Sequence, residues 1–407
     1  MDYIDLKYKP EEDELITTYR LEPSSGVSLE EASGHVAGES SIGTWTDLST
    51  MKPDIALRLK PTVFEMDEES NVIKIAYPRE LFEDGSMPQI LSSIAGNIFG
   101  MNAIENLRLE DIKFPPSMIK RFRGPAFGIQ GVRDLVGVKK RPLVGTIVKP
   151  KVGLSPKEHA EVAYNSWTGG CDIVKDDENL TDQIFNKFRD RVAETIKLRD
   201  KAENETGEIK IYMPNVTAET EEMMRRVEFV KEHGGRYVMI DILTSGFSAL
   251  QTLRDKNPGL AIHAHRAMHA ALTRNKRHGI SMLTLAKISR LIGVDQLHIG
   301  TVVGKMEGGR KEVTVIQKAI TDELYGMKST FPVCSGGLHP GLVEPLIKIM
   351  GGNIIIQAGG GIHGHPGGTE AGAKAMRQAV DAEMEGVSPR EYAERNLQLK
   401  EALDKWG

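Results

Sequence analysis

From Arg141 to the end of the chain one pattern repeats eight times: a short apolar run, a polar break, then a longer connecting stretch. The apolar runs fall at 143–149, 171–175, 209–213, 237–242, 260–264, 296–299, 331–334 and 354–357. Amphipathic spacing marks stretches between them at 157–167, 220–232, 282–292 and 370–384. Parallel strands need a crossover of many residues, usually a helix. Strand then helix, eight times, predicts an α/β fold closed into a (β/α)8 TIM barrel rather than an open sheet. The barrel is expected over 125–407, with a C-terminal helical tail.

The first 124 residues lack that alternation and predict an α+β (ferredoxin-like) domain. Extended segments are expected at 15–21, 55–59 and 72–76, and helices at 28–36 and 87–97. Two domains also suit a length of 407 residues, which exceeds one ordinary core.

Polar residues gather where the apolar runs end. These are Lys149 and Lys151; Lys175, Asp177 and Glu178; His263, His265 and Arg266; His298; Ser335, Gly336 and Gly337; and Gly359, Gly360 and Gly361. In a barrel those positions share one rim, the rim that carries chemistry. The sharpest is GGCDIVKDDEN (169–179), an apolar strand opening into one lysine and three carboxylates. Asp177 and Glu178 are hard oxygen donors of the kind Mg2+ takes. An acidic helix N-terminus would account for Asp176 or Glu178 but not for Lys175. An ammonium repels a cation; the conflict is removed if CO2 converts the lysine to an anionic carbamate.

The other motifs are weaker alone. TIVKPKVGLS (146–155) puts Lys149 and Lys151 on one side of an extended segment, as phosphate ligands, as acid and base, or as a solvated pair. IHAHRAMH (262–269) aligns His263 and His265 on one strand face beside Arg266 and His269; proton transfer and anion binding are one reading, zinc the rival. Zinc is disfavoured because HExxH and paired CxxC spacings are absent. GTVVGKMEGG (300–309) brackets Lys305 with glycines, as a lid or a plain loop. SGG (335–337) and AGGGIHGHPGG (358–368) follow the last two strands, the usual barrel phosphate position. GESSIGTWT (38–46) and AGNIFG (95–100) are too polar for core, though Trp45 reads as packing and Asn97 as a helix C-cap.

Charge and composition exclude other classes. A net charge of −5 without a basic block argues against nucleic acid. Cys171 and Cys334, both in apolar runs, are expected as buried reduced thiols. The charged start MDYIDLKYKPEEDE has no secretory core, and no run is long enough to span a bilayer, so a cytoplasmic protein is expected.

Taken in order, GESSIGTWT, AGNIFG, RGPAFGIQG, TIVKPKVGL, GGCDIVKDDEN, HAHRAMHA, HIGTVVGKMEG, SGGLHPG and QAGGGIHGHP resemble the large subunit of ribulose-1,5-bisphosphate carboxylase/oxygenase, Rubisco, along nearly the whole chain. The short C-terminal stretch, AIHAHRAMHAALTRN and CSGGLHPG are most similar to the archaeal form III type, which works without small subunits. The resemblance implies Mg2+-dependent carboxylation of ribulose 1,5-bisphosphate by CO2 to two 3-phosphoglycerate, through an enediolate, with oxygenation by O2 as a side reaction. It implies Lys175 as the carbamylated lysine holding Mg2+ with Asp177 and Glu178. Lys149 becomes the acid/base assisted by Lys151, His265 a further proton-transfer residue and Lys305 the lid lysine. Arg266, His298 and Ser335 would hold one end of the bisphosphate and nearby hydroxyls. Thr44, Trp45, Lys305, Gly337, Gly359 and Gly360 would hold the other, with Gly336 and Gln357 also on the substrate. Glu39 and Asn97 would come from the partner of a homodimer with shared active sites. Ile147, Ile299 and Cys334 depart from the plant-type pattern and bear on substrate affinity and CO2/O2 preference. The rivals are a Rubisco-like enolase or isomerase of methionine salvage and a non-catalytic scaffold. Archaeal relatives serve nucleotide (AMP) salvage or a reductive pentose-related route, and the chain does not choose between them.

Overall fold

Eight parallel strands form one sheet: β1 (Leu143–Ile147), β2 (Ile173–Lys175), β3 (Ile211–Met213), β4 (Tyr237–Asp241), β5 (Ala261–His265), β6 (Gln296–Gly300), β7 (Phe331–Ser335) and β8 (Ile355–Gln357). In this computed structural model, which describes residues 2–44, 46, 48–304 and 309–407, the strand order is β3-β2-β1-β8-β7-β6-β5-β4. The ring closes just past β3, where Met239 of β4 donates to Pro214 O at 2.9 Å and accepts from Val216 N at 3.0 Å. The expected (β/α)8 barrel is therefore present, each strand within a few residues of its sequence position.

The barrel fills from one end. Leu143, Ile173, Ile211, Tyr237, Ala261, Phe331 and Ile355, each the first residue of its strand, are buried in one cluster. Val132 and Val136, from the helix Gly128–Val136, join that cluster and plug the N-terminal mouth. Asp295 fastens the plug, accepting from Phe127 N (2.6 Å), Gly128 N (3.1 Å) and Ile262 N (2.9 Å). Apolar residues occupy the bottom, so polar side chains collect at the strand C-termini.

The chain divides into two compact units, Met1–Arg123 with Met268–Ile292, and Gly124–Ala267 with Gly293–Gly407. In the first, Ile104–Lys113, Glu14–Pro23, Val72–Pro78 and Thr62–Asp67 pair antiparallel in that order. With the helices Leu29–Glu39 and Met87–Ile94 this is the β-α-β-β-α-β arrangement of ferredoxin-like domains. The segment Met268–Ile292 joins this unit because Gly279–Ile280 adds a parallel edge strand beside Ile104–Lys113. Lys287 Nζ, on the helix Met282–Ile292, pairs with Asp111 at 2.5 Å.

Two local expectations fail. Residues 55–59 are not extended: Pro53–Leu59 is a helix, with Pro53 in its first turn, where proline is preorganised, and Asp54 complementing the dipole. Asn97 is not a C-cap, because the helix stops at Ile94 with Ala95 as its cap, and Asn97 opens a short 3-10 turn. The strands Thr62–Asp67 and Ile104–Lys113 lie outside the segments expected to be extended. Among the described residues, no helix is long and apolar enough to cross a membrane.

Candidate active site

Strand β2 ends in Lys175, whose side chain is only 1% exposed. Its Nζ donates to Asp176 O at 2.8 Å and lies 3.5 Å from Met239 Sδ. Burial pushes its pKa below that of ordinary lysine, against the opposing charges of Glu178, Asp177, Asp241 and Asp176. Removal from water thus favours the uncharged amine, the nucleophilic form.

The two carboxylates that follow have opposite surroundings. Asp176 is enclosed: His159 Nε2 lies 3.0 Å away, Arg191 Nε and Asn215 N donate at 3.0 and 2.9 Å, and Tyr212 OH donates at 2.7 Å. Burial alone would raise its pKa, but the Arg191 charge and these hydrogen bonds hold it well below the carboxylate range. All its capacity is turned inward. Asp177 instead faces Lys149, whose Nζ is 2.7 Å from Oδ2, and its Oδ1 accepts from Asn179. Burial raises and Lys149 lowers the Asp177 pKa, with a net fall. Glu178 is half-buried, 3.8 Å from His265 Nε2.

His265 is turned by Asp241, whose Oδ1 is 3.1 Å from its Nδ1. Behind it His263 and His298 meet Nε2 to Nε2 at 2.9 Å, and His298 Nδ1 lies 2.9 Å from Ser335 Oγ. Arg266 lies over Gly300, where an added Cβ would come within 3.0 Å of its guanidinium. Gly336 and Gly337 have φ of +118° and +67°, values that favour glycine, and leave backbone exposed beside Ser335. Gly359 opens the short helix Gly360–His363, and a Cβ on it would press Lys149 Cε at 3.2 Å. Lys149 therefore spans from Asp177 to the glycine loop after β8. His363 ties that loop to β1, 2.9 Å from Thr146 Oγ1 and 3.0 Å from Thr369 Oγ1. Gln357, buried, donates to Thr146 O at 2.8 Å.

The rim thus brings together Lys149, Lys175, Asp177, Glu178 and His265, with Arg266, His298, Ser335, Gly336, Gly337, Gln357, Gly359 and Gly360 around it. Lys151 is exposed; β1 stops at Ile147, so strand alternation does not reach Lys149 and Lys151. His269 belongs to the first unit, 3.1 Å from Thr273 Oγ1. In that unit Glu39 and Asn97 are neighbours, Nδ2 donating to Oε1 at 3.4 Å, and Glu39 and Thr44 line a cavity of about 600 Å³. Trp45 and Lys305 lie outside the described residues.

Sequence reasoning missed Asp241, His159, Arg191, Gln296 and His363. Asp241 had a signal, a carboxylate ending an apolar strand on the same rim. The others sit in helices or at a strand start, and only packing reveals their partners.

Comparison with known proteins agrees along the length of the chain. Residues 2–118 match the family model for the ribulose bisphosphate carboxylase large chain, N-terminal domain, and residues 128–406 match that for its catalytic domain. A protein of Methanosarcina barkeri named ribulose bisphosphate carboxylase is 55% identical, covering 100% of this chain and 99% of its own. One of the same name from Pyrococcus abyssi is 52% identical over 100% and 96%. Octameric Rubisco from Pyrococcus horikoshii superposes with a TM-score of 0.96 at 51% identity, covering 99% and 96%. Dimeric Rubisco from Hyperthermus butylicus gives 0.93 at 46%, covering 100% and 98%.

Proposed function

Because the chain belongs to the ribulose bisphosphate carboxylase large-chain family, we propose that it is a lyase of form III type that carboxylates ribulose 1,5-bisphosphate to two 3-phosphoglycerate, with oxygenation as a side reaction. The observation that carries the reading is Lys175, a buried amine at a barrel rim, beside two carboxylates and with its basicity lowered by burial.

The donor set suits Mg2+. Among the described residues no three His, Cys, Asp or Glu side chains converge to hold a metal ion, so Asp177 and Glu178 need a third oxygen donor. Addition of CO2 to the free Lys175 amine, with loss of one proton, makes that donor. When bound there, Mg2+ supplies Lewis-acid polarisation of a carbonyl and stabilises developing negative charge.

The remaining roles fall to the chain itself. Lys149, whose Nζ lies 2.7 Å from Asp177 Oδ2, carries the proton it delivers to the carboxylated carbon. His265, oriented by Asp241, moves a second proton. Arg266, His298 and Ser335 line one end of the bisphosphate site; Gly337, Gly359 and Gly360 offer backbone N–H groups at the other. Lys305 acts on the charge that develops as CO2 adds. Thr44 and Trp45 join that second end, while Glu39 and Asn97 complete the site from the partner of a homodimer, their adjacency supporting a joint role.

The test is fixation of labelled bicarbonate into acid-stable product with ribulose 1,5-bisphosphate and Mg2+ under anaerobic conditions. Labelled 3-phosphoglycerate is the expected result. Proton exchange without label would point to an enolase, and neither to a scaffold. Mixed dimers of Glu39→Gln and Lys175→Ala subunits should regain part of the activity if the site is shared.

A further inference from the structure

Four side chains form an unbroken hydrogen-bonded line through the barrel wall to the rim. Gln296 Oε1 is 2.8 Å from His263 Nδ1, His263 Nε2 is 2.9 Å from His298 Nε2, and His298 Nδ1 is 2.9 Å from Ser335 Oγ. Gln296, His263 and His298 are buried, at 0%, 0% and 3% exposure, and only Ser335 emerges. We propose that this line makes Ser335 a hydrogen-bond acceptor toward the substrate, so that it receives a sugar hydroxyl and does not donate to a phosphate. Gln296 and His263 are positioning residues that act through His298, itself on the bisphosphate site, and through Ser335. The identity of the substrate rests on the carboxylase reading; the direction of the line does not.

The direction follows from counting hydrogens. An amide oxygen only accepts, so His263 Nδ1 carries the hydrogen that Gln296 receives. A neutral imidazole has one N–H, which leaves His263 Nε2 bare and makes His298 Nε2 the donor to it. His298 Nδ1 is then bare and takes the Ser335 hydroxyl hydrogen. Burial keeps both rings neutral, lowering His263 to about 3 and His298 well below its usual value. With its hydrogen directed inward, Ser335 presents only lone pairs to the rim. A phosphate oxygen, itself an acceptor, gains nothing from them, whereas a hydroxyl does.

The orientation of the Gln296 amide decides the outcome, since a flipped amide reverses every donor in the line. Histidine-selective 15N NMR of the whole protein reads this directly. The expected signature is Nδ1–H for His263 and Nε2–H for His298; the reverse pair of tautomers overturns the proposal. In kinetics, Gln296→Met should raise KM for ribulose 1,5-bisphosphate about fivefold to tenfold, the scale of one neutral hydrogen bond, with little change in kcat. In a Ser335→Ala background the same substitution should have no further effect on KM. An equal effect in both backgrounds means that Gln296 does not act through Ser335. If the wild-type chain fails to turn over ribulose 1,5-bisphosphate, the carboxylase reading falls, and the tautomers still decide the direction. They do so too if Gln296→Met does not fold.

Discussion

Strand β2 is three residues long, and the barrel treats its two ends in opposite ways. Asp172, just before the strand, is gripped by both Nη atoms of Arg141 at 2.7 Å and by Val144 N at 2.8 Å. Nearby, at the start of β3, the fully buried Lys210 pairs with Glu208 at 2.8 Å and reaches Cys171 O at 3.1 Å. Both of these charges meet an opposite charge, and the apolar plug closes the mouth. At the other end Lys175 is as deeply buried, yet its hydrogen-bonding neighbours are a backbone carbonyl and a thioether. Burying an ionisable group without a direct charged partner, whether it stays charged or gives up its proton, destabilises a fold, so such a group is retained where chemistry needs it. The same contrast recurs within one dipeptide: Asp176 is wholly occupied by the scaffold, while Asp177 faces the rim.

The comparison is sharpest at the two lysines. Lys175→Ala should abolish carboxylation, by more than the ~100-fold that loss of an outer partner of a metal site costs, in a bicarbonate-fixation assay. Substantial turnover by that variant would sink the carbamate assignment. For the adjacent carboxylates, Asp176→Ala should lower unfolding free energy by about 3–5 kcal/mol, because Arg191 is left buried and unpaired. Asp177→Asn should change stability by less than about 1 kcal/mol, its Lys149 partner being one-third exposed, while losing metal-dependent activity. Urea unfolding of both variants would break the distinction if the two losses were alike.

The loop staple adds a pH dependence. Burial, and then the charge of Lys149, lowers His363 to about 4, against the ordinary 6.5. Between those values the unfolded chain binds more protons, so stability rises with pH from 4 to 6.5 and is flat above. The loss on acidification from this group approaches about 3 kcal/mol. Replacing His363 with Gln should flatten that part of the curve in denaturation experiments across pH; an unchanged slope would remove His363 as its source. Smaller still is the effect at Lys210, where Lys210→Met should cost about 1–3 kcal/mol by thermal unfolding and leave turnover per folded molecule intact. The least effect is expected at Cys171 and Cys334, both pushed up to about 12 by burial. Neither should react with a thiol reagent until the chain unfolds.

Much of this was legible beforehand. All eight barrel strands could be read because each is a compact apolar run bounded by polar or glycine-rich breaks, and the rim could be read because chemistry-bearing residues follow the runs. The helix Pro53–Leu59 was not legible as such: KPDIALRL reads equally well as an extended segment when only apolar content is weighed. Nor was Ile104–Lys113, whose mixed charges hide a strand paired on both sides. At the site, the identities of Lys175, Asp177 and Glu178 were plain, and the unlike duties of Asp176 and Asp177 were not. His159, Arg191 and Tyr212, which make that difference, come from separate elements 15 to 36 residues away.

By itself, the sequence determined the barrel, the rim and the order of chemical groups along it, because hydrophobic periodicity and strand-end polarity are local properties. Which groups are neutral, which are paired and which way their hydrogens point was decided only by the tertiary structure. Burial and hydrogen-bond partnership depend on what the other strands bring to the same place.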